Sequence, residues 1–244
     1  MEIIKLFYYV RHGDPIYDPD SLTDLGTAQA EALKHRFATH GLDRIYSSTS
    51  NRAYLTAEPT AKLLKLPVER LEWCREHHAF LEFSIINEKG ERVWPFYHPD
   101  AIKAFVSPEL IALGDRWYEH PVFAGTNIKE GIERIDREVD EFFLTLGYKH
   151  DRTNNIFIPV APTDERVALF AHEGFGMAFF SSVLGIPYPT FCTRFGISHS
   201  CFSVIEFKEH FNTGFVIPQI LQHSNDSHLY AERMPLKYHN RIYV

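Results

Sequence analysis

Apolar residues fill the first segment almost without a break, Ile3-Ile4-Lys5-Leu6-Phe7-Tyr8-Tyr9-Val10, and the run stops at Arg11-His12-Gly13. A short apolar run closed by a glycine predicts a buried strand whose last side chains stand at its carboxyl end. Tyr17 to Leu22 carries Pro19 and short polar residues, and reads as a loop. Thr23 is placed to cap a helix with Ala30, Leu33 and Phe37 on one face and Gly41 as its stop. Arg44-Ile45-Tyr46-Ser47 reads as a short strand. A second helix starts near Ser50, with Ala53, Ala57, Ala61 and Leu64 at helical spacing, and Leu66-Pro67-Val68 is a brief edge-type segment. Strand alternating with helix is the rhythm of a parallel sheet with crossover helices, which makes the fold class α/β.

That rhythm breaks between Phe80 and Lys129, where aromatics and prolines crowd together (Trp94, Pro95, Phe96, Tyr97, Pro99, Pro108, Trp117, Tyr118, Pro121). Only a short helix around Ala101 to Phe105 is predicted there. The stretch, about 80–130, reads as an insertion over the carboxyl edge of the sheet. Regularity returns with Ile132, Ile135, Val139, Phe142, Phe143 and Leu146, an amphipathic helix. Asp151 to Asp164 reads as a polar loop. Val167 to Ala171 is a buried strand ending at His172-Glu173-Gly174, and a helix runs from about Phe175 to Leu184. Cys201 to Phe207 and Phe215 to Leu221 complete the predicted strands. Neither a repeat nor a linker interrupts the chain, so residues 1–244 are expected to form one domain with an insertion.

Composition narrows the function classes. The net charge of -7, with no Lys/Arg-rich face, argues against nucleic acid as a partner. It does not argue against a phosphate ester, because salt screens the global field over about 10 Å, whereas a local guanidinium acts at contact. No apolar run approaches the ~20 residues that span a bilayer, and the N-terminus lacks the pattern of a secretory signal. Three widely spaced cysteines, Cys74, Cys192 and Cys201, fit reduced thiols and a cytoplasmic location. Oligomeric state leaves no mark on the sequence.

Chemistry-bearing residues fall at the ends of the predicted strands. Arg11 and His12 leave the first; Arg52 sits in the first turn of the helix after the second; Glu76 follows Trp73-Cys74-Arg75; His172 leaves a later strand as His12 does. In a parallel sheet such residues converge on one rim, where open α/β sheets bind ligands. A guanidinium fork suits an anion, and an imidazole can attack or move a proton. Duller readings stand beside these. His172 could be a satisfied core histidine and Arg52 a solvated helix-start residue, although a cation in a first turn opposes the macrodipole. Glu72 and Glu82 are rivals to Glu76. Fourteen histidines raise the question of a metal, but no H-E-x-x-H or other compact ligand spacing occurs, so none is expected.

Taken in order, Val10-Arg11-His12-Gly13, Leu22 to Ala30, Ile45 to Ser48 with Arg52-Ala53 and Thr56-Ala57, Arg75-Glu76, Phe170 to Gly174, and Asn225 to Leu229 make the chain resemble the histidine phosphatase superfamily, or phosphoglycerate mutase-like fold. The resemblance covers roughly residues 3–78 and 131–230. It implies a three-layer α/β/α sandwich with a mostly parallel central sheet. It also implies that His12 attacks phosphorus to give a phosphohistidine, and that Arg11, Arg52, His172 and Gly13 hold the phosphoryl oxygens. Glu76 is then the proton donor and later the base, with no metal or cofactor.

The chain departs from many members in three places. Asp14 and Asp18 stand where Glu and Asn are common, and Asp18 is expected to point away from phosphate. Glu173 replaces a Gly, so it either selects a substrate with a positive or hydroxyl-rich group or faces solvent. The segment typical of cofactor-dependent phosphoglycerate mutases is missing, which favours phosphatase over mutase. His199 is a further rim candidate. The aromatics of the insertion either wall the pocket or build a satellite core. The resulting expectation is a cytoplasmic, metal-independent phosphomonoesterase acting on a small phosphorylated substrate. A mutase-type phosphoryl transferase and a non-catalytic phospho-ligand-binding module are the alternatives.

Overall fold

The computed structural model describes residues 3–209 and 211–236. Its elements are β1 (Ile4–Arg11), β2 (Pro15–Tyr17), β3 (Asp20–Leu22), α1 (Asp24–Ala38), β4 (Arg44–Ser48), α2 (Asn51–Leu64), β5 (Val68–Leu71), α3 (Glu76–Phe83), β6 (Ile85–Ile86) and β7 (Arg92–Val93). There follow α4 (Pro99–Phe105), α5 (Pro108–Leu113), α6 (Ile128–Thr145), β8 (Tyr148–Asp151), β9 (Ile156–Pro159), β10 (Arg166–Ala171), α7 (Glu173–Leu184), α8 (Tyr188–Arg194), β11 (Phe202–Lys208), β12 (Gln219–Asn225) and α9 (Ser227–Ala231). Six strands form the central sheet in the order β12-β11-β1-β10-β4-β5. The neighbours from β1 to β5 are parallel, and β11 alone runs against the rest.

Strand periodicity builds the layers. Along β1 and β10, Phe7, Tyr9, Val167, Leu169 and Ala171 join a core shared with Phe142 and Phe143 of α6 and Phe175 and Phe179 of α7. The intervening Val10, Ala168 and Phe170 join a second core with Leu33 and Phe37 of α1 and Ala57 of α2. Successive side chains of a strand point to opposite faces, so a sheet buried on both sides shows the unbroken apolar runs seen in the sequence. The fold is the expected three-layer sandwich. Thr23 caps α1 by accepting from the Gly26 N–H at 3.0 Å, and Gly41 closes its far end with φ +75°.

Short elements correct the sequence reading. Tyr17 to Leu22 is no loop: β2 and β3 pair as a hairpin. Asp151 to Asp164 contains β9, paired with β8, and Phe157 is fully buried between flanking residues that are not. Asp151 Oδ1 accepts from the Thr153 and Asn154 N–H groups and shapes the turn. The last strand is Gln219–Asn225 rather than Phe215–Leu221; it starts just after Pro218, which has no N–H for a ladder. Within 80–130, Pro99 and Pro108 open α4 and α5, capped by the side chains of His98 and Ser107. Phe105, Trp117 and Phe123 are buried against one another and against Tyr188. They build core, whereas Trp94 and Phe96 are half-buried at its margin and Tyr97 is exposed. Among the described residues, no helix is long and apolar enough to cross a membrane.

Candidate active site

Register assembles the site. β1 lies parallel to β10 with Arg11 opposite Ala171, and the His12 N–H donates to the Ala171 carbonyl at 3.0 Å. The residues that follow the two strands therefore stand side by side, with the His12 and His172 rings 5.2 Å apart at 63°. On the other side of β10 lies β4, so α2 starts over the same edge with Arg52 near its N-terminus. Glu76 is the first residue of α3. His12, Arg52 and Glu76, with Arg11, line one cavity, whereas His172, expected to hold phosphoryl oxygens, is fully buried behind them and does not line it.

Arg52 ties the imidazoles together. Its Nε lies 3.2 Å from His12 Nε2 and its Nη2 3.2 Å from His172 Nδ1. A guanidinium only donates, so both ring nitrogens accept. These partners assign the tautomers: His12 Nδ1–H donates to the Gly13 carbonyl at 2.7 Å, and His172 Nε2–H donates to Ser48 Oγ at 2.9 Å. His12 Nε2 is consequently the unprotonated ring nitrogen, with its lone pair accepting from Arg52 at the cavity wall. Tyr9 Oη, buried under the site, donates to the His172 carbonyl at 2.6 Å and holds the turn between β10 and α7.

Electrostatics fix the protonation states. Burial, then the His172, Arg11 and Arg52 charges, hold His12 well below the usual imidazole range. Burial, then Arg52 and Arg11, do the same to His172. Burial pushes the Glu76 carboxyl up to about 7 against the pull of Arg52 and Arg11. Its side chain is 19% exposed, with Oε2 at 3.1 Å from His172 Nδ1 and Oε1 accepting the Phe175 N–H at 3.2 Å. The rival carboxylates are engaged elsewhere. Glu72 accepts from Thr49 and lies 2.9 Å from His78 Nε2, which lower its carboxyl to about 2. Glu82 is gripped by Arg134 at 2.6 and 2.7 Å.

His12, Glu76 and His172 bring ligating atoms within 4.8 Å of one another, a cluster that the linear spacing did not show. The surroundings do not fit a cation. The lone pairs of His12 Nε2 and His172 Nδ1 point at Arg52 donors, and a divalent ion would sit beside two guanidiniums. The same arrangement suits a dianion, because a charge pair at ~4 Å gains several kcal/mol at an effective dielectric near 20.

The cavity measures about 660 Å³ and continues from Arg11, His12, Arg52 and Glu76 past Phe80, Trp94 and Phe96 to the exposed Tyr17, Arg75, His77 and Tyr97. The histidine phosphatase superfamily (branch 1) model matches residues 7–107. That stretch contains Arg11, His12, Arg52 and Glu76 in the order and geometry just described. Over that stretch the chain is similar to the histidine phosphatase superfamily. It is 24% identical over 198 residues to phosphoserine phosphatase 1 of Hydrogenobacter thermophilus, covering 81% of this chain and 79% of that protein. The mycobacterial glucosyl-3-phosphoglycerate phosphatase superposes with a TM-score of 0.58 at 18% identity, over 91% of this chain and 100% of that one. A phosphoserine phosphatase from Entamoeba histolytica, crystallised with 3-phosphoglyceric acid, gives 0.57 at 16% identity, over 92% and 99%. Those two structures share the fold.

Gly13 and His199 depart from the sequence reading, whereas Glu173 and Asp18 do not. Gly13 does not line the cavity, and its N–H donates to Thr56 Oγ1 at 2.9 Å, so that amide is not offered to phosphate. A side chain there would meet the Gly26 carbonyl oxygen at 2.7 Å, so close packing is what demands glycine. His199 does not line the cavity either; it stands behind Arg11, with Nε2 2.8 Å from Nη2. Glu173 does line it, and its Oε2 lies 3.0 Å from Arg11 Nη1, which also donates to the Ile197 carbonyl. Asp18 is exposed and off the cavity, as its position requires.

Asp20 is the residue the sequence reading missed. It lies 2.8 Å from Arg52 Nη1 and accepts from the Asn51 N–H at 2.7 Å, so one carboxylate aims Arg52 and satisfies the start of α2. Placing Tyr17 to Leu22 in a loop hid it, and the β2–β3 hairpin is what delivers it. Asp20→Ala is expected to cost about 1 kcal/mol through the lost cap, lowering Tm by roughly 2–4 °C in a chain of this size. Calorimetry of the two proteins measures it.

Proposed function

We propose that the protein hydrolyses a phosphate monoester in two steps through a phosphohistidine on His12. The observation that carries this is the state of His12 in the cavity wall: neutral, protonated on Nδ1 by its bond to Gly13, with Nε2 unprotonated beside Arg11 and Arg52 and released for attack when Arg52 turns its Nε–H from Nε2 to the phosphoryl group. In the first step Nε2 forms its bond to phosphorus as the ester P–O bond breaks. Glu76 gives its proton to the departing oxygen. In the second step the Glu76 carboxylate takes a proton from water, whose oxygen attacks phosphorus while the N–P bond breaks. Inorganic phosphate leaves, and His12 and Glu76 return to their starting states.

A carboxyl near 7 suits both halves, since a group that donates and then accepts works best with a pKa close to the working pH. Arg11 and Arg52 hold the equatorial oxygens and offset the charge that spreads over them in the transition state. To do so Arg11 exchanges Glu173 for the phosphoryl group. His172, kept neutral first by burial, holds Arg52 and Glu76 in register from behind the cavity wall. The substrates implied are small phosphorylated compounds, as the names of the related phosphatases also indicate.

The test is phosphate release from a panel of phosphate monoesters by purified protein, in buffer with EDTA. Turnover at the same rate with and without chelator is expected. Absence of phosphate release from every ester contradicts the phosphatase reading, and loss on chelation contradicts its metal-free chemistry.

A further inference from the structure

Aromatic side chains form one wall of the cavity. Trp94 and Phe96 stack at 5.5 Å with their planes 12° apart, Phe80 meets Trp94 edge-on at 5.2 Å, and Tyr97 meets Phe96 edge-on at 4.7 Å. In contrast to the buried Phe105, Trp117 and Phe123 of the same segment, none of the four is buried, and all four line the cavity. Trp94 and Phe96 back onto the core and leave part of their surface open to the cavity, and that part gains free energy when something flat and apolar covers it.

The position of this wall says which part of a substrate would cover it. A Cβ built on Gly174 would lie 2.1 Å from Trp94 Cζ2 and 2.6 Å from Glu76 Oε1, so the indole edge and the carboxyl are immediate neighbours across that glycine. Glu76 must touch the oxygen that leaves. The group attached to that oxygen therefore meets Trp94 first and then the stacked Phe96. The polar side chains along the same path are Asp20, Glu173 and, at the open end, Arg75 and His77; Arg75 already lies 3.5 Å from Glu72.

Resting on the phosphatase reading for which end of the ligand is the phosphate, we infer that the preferred ester carries a flat aromatic or apolar group that lies along Trp94 and Phe96. A small charged alcohol such as serine leaves this wall uncovered. The preference resides in binding and does not depend on turnover.

Calorimetric titration with non-hydrolysable phosphonates separates the two issues. Naphthylethylphosphonate is expected to bind at least about tenfold more tightly than ethylphosphonate, which presents the same anion without the ring. Phe96→Ala is expected to shrink that ratio severalfold, since both ligands keep the same anion contacts. Equal affinities for the two phosphonates, or tighter binding of phosphoserine than of naphthylethylphosphonate, would overturn the inference. Hydrolysis of naphthylethyl phosphate, measured alongside, tests the phosphatase reading separately. A binding preference without phosphate release would support the aromatic wall and reject the reaction.

Discussion

His12→Ala is expected to lower turnover by at least about 10³-fold on every phosphate ester, with the fold and phosphate binding retained. The magnitude follows from covalent catalysis: removing a nucleophile that forms an intermediate removes the two-step route altogether. The fold survives because the imidazole contributes little to packing that its backbone does not already fix. The His12 N–H stays bonded to Ala171 and its carbonyl to the Ser200 N–H. Phosphate binding survives because Arg11 and Arg52 remain, and Arg52 is still held by Asp20 and His172. Steady-state kinetics, with circular dichroism and titration of inorganic phosphate, separate these outcomes. Near-normal rates would move the nucleophile elsewhere.

Glu76→Gln is expected to slow esters of ordinary alcohols by about 10²–10⁴-fold and aryl esters much less. An alkoxide leaves poorly without a proton, whereas an aryloxide does not need one. The variant should still bind ligand, because Gln can accept the Phe175 N–H as Oε1 does. The same carboxyl sets a pH limb. Its first-step role requires the protonated form, so the wild-type rate with alkyl esters should fall as pH rises through about 7, and the Gln variant should lack that limb.

Stability follows the same group with a defined sign. Its folded-state pKa lies above the unfolded value, so the folded state binds the extra proton and stability declines as pH rises from the ordinary carboxylate range to about 7. Glu76→Gln, which cannot ionise, should therefore be relatively more stable than wild type at pH 8 than at pH 5. Thermal unfolding at the two values measures this, and an equal difference at both would show that burial does not raise the carboxyl.

The parts of the molecule legible in the sequence are those buried on both sides. β1 and β10 announce themselves as unbroken apolar runs because helices cover both faces of the sheet, and their ends locate Arg11, His12 and His172 without further information. Glu76 was harder to read, since its role depends on which of three nearby carboxylates is free of a surface partner. Only the structure shows Glu72 with Thr49 and His78, and Glu82 with Arg134.

The hairpins were illegible for a different reason. β2, β3, β8 and β9 are three or four residues long, too short for alternation to stand out from polar loop composition. Asp20 was lost with them. Gly13 shows the opposite error, a residue correctly placed beside the site whose amide turns out to serve Thr56. Networks such as Tyr9 to His172 or His172 to Ser48 depend on strand register, which periodicity alone does not supply.

The central claim is that phosphorus bonds to His12 Nε2 during turnover. Rapid alkaline quenching of the enzyme with a radiolabelled phosphate ester preserves a phosphohistidine, and peptide mapping locates it. Label on the peptide carrying His12, appearing and decaying at the rate of turnover, is the predicted result. Label on His172, or phosphate release with no enzyme-bound label at any time, would contradict the mechanism.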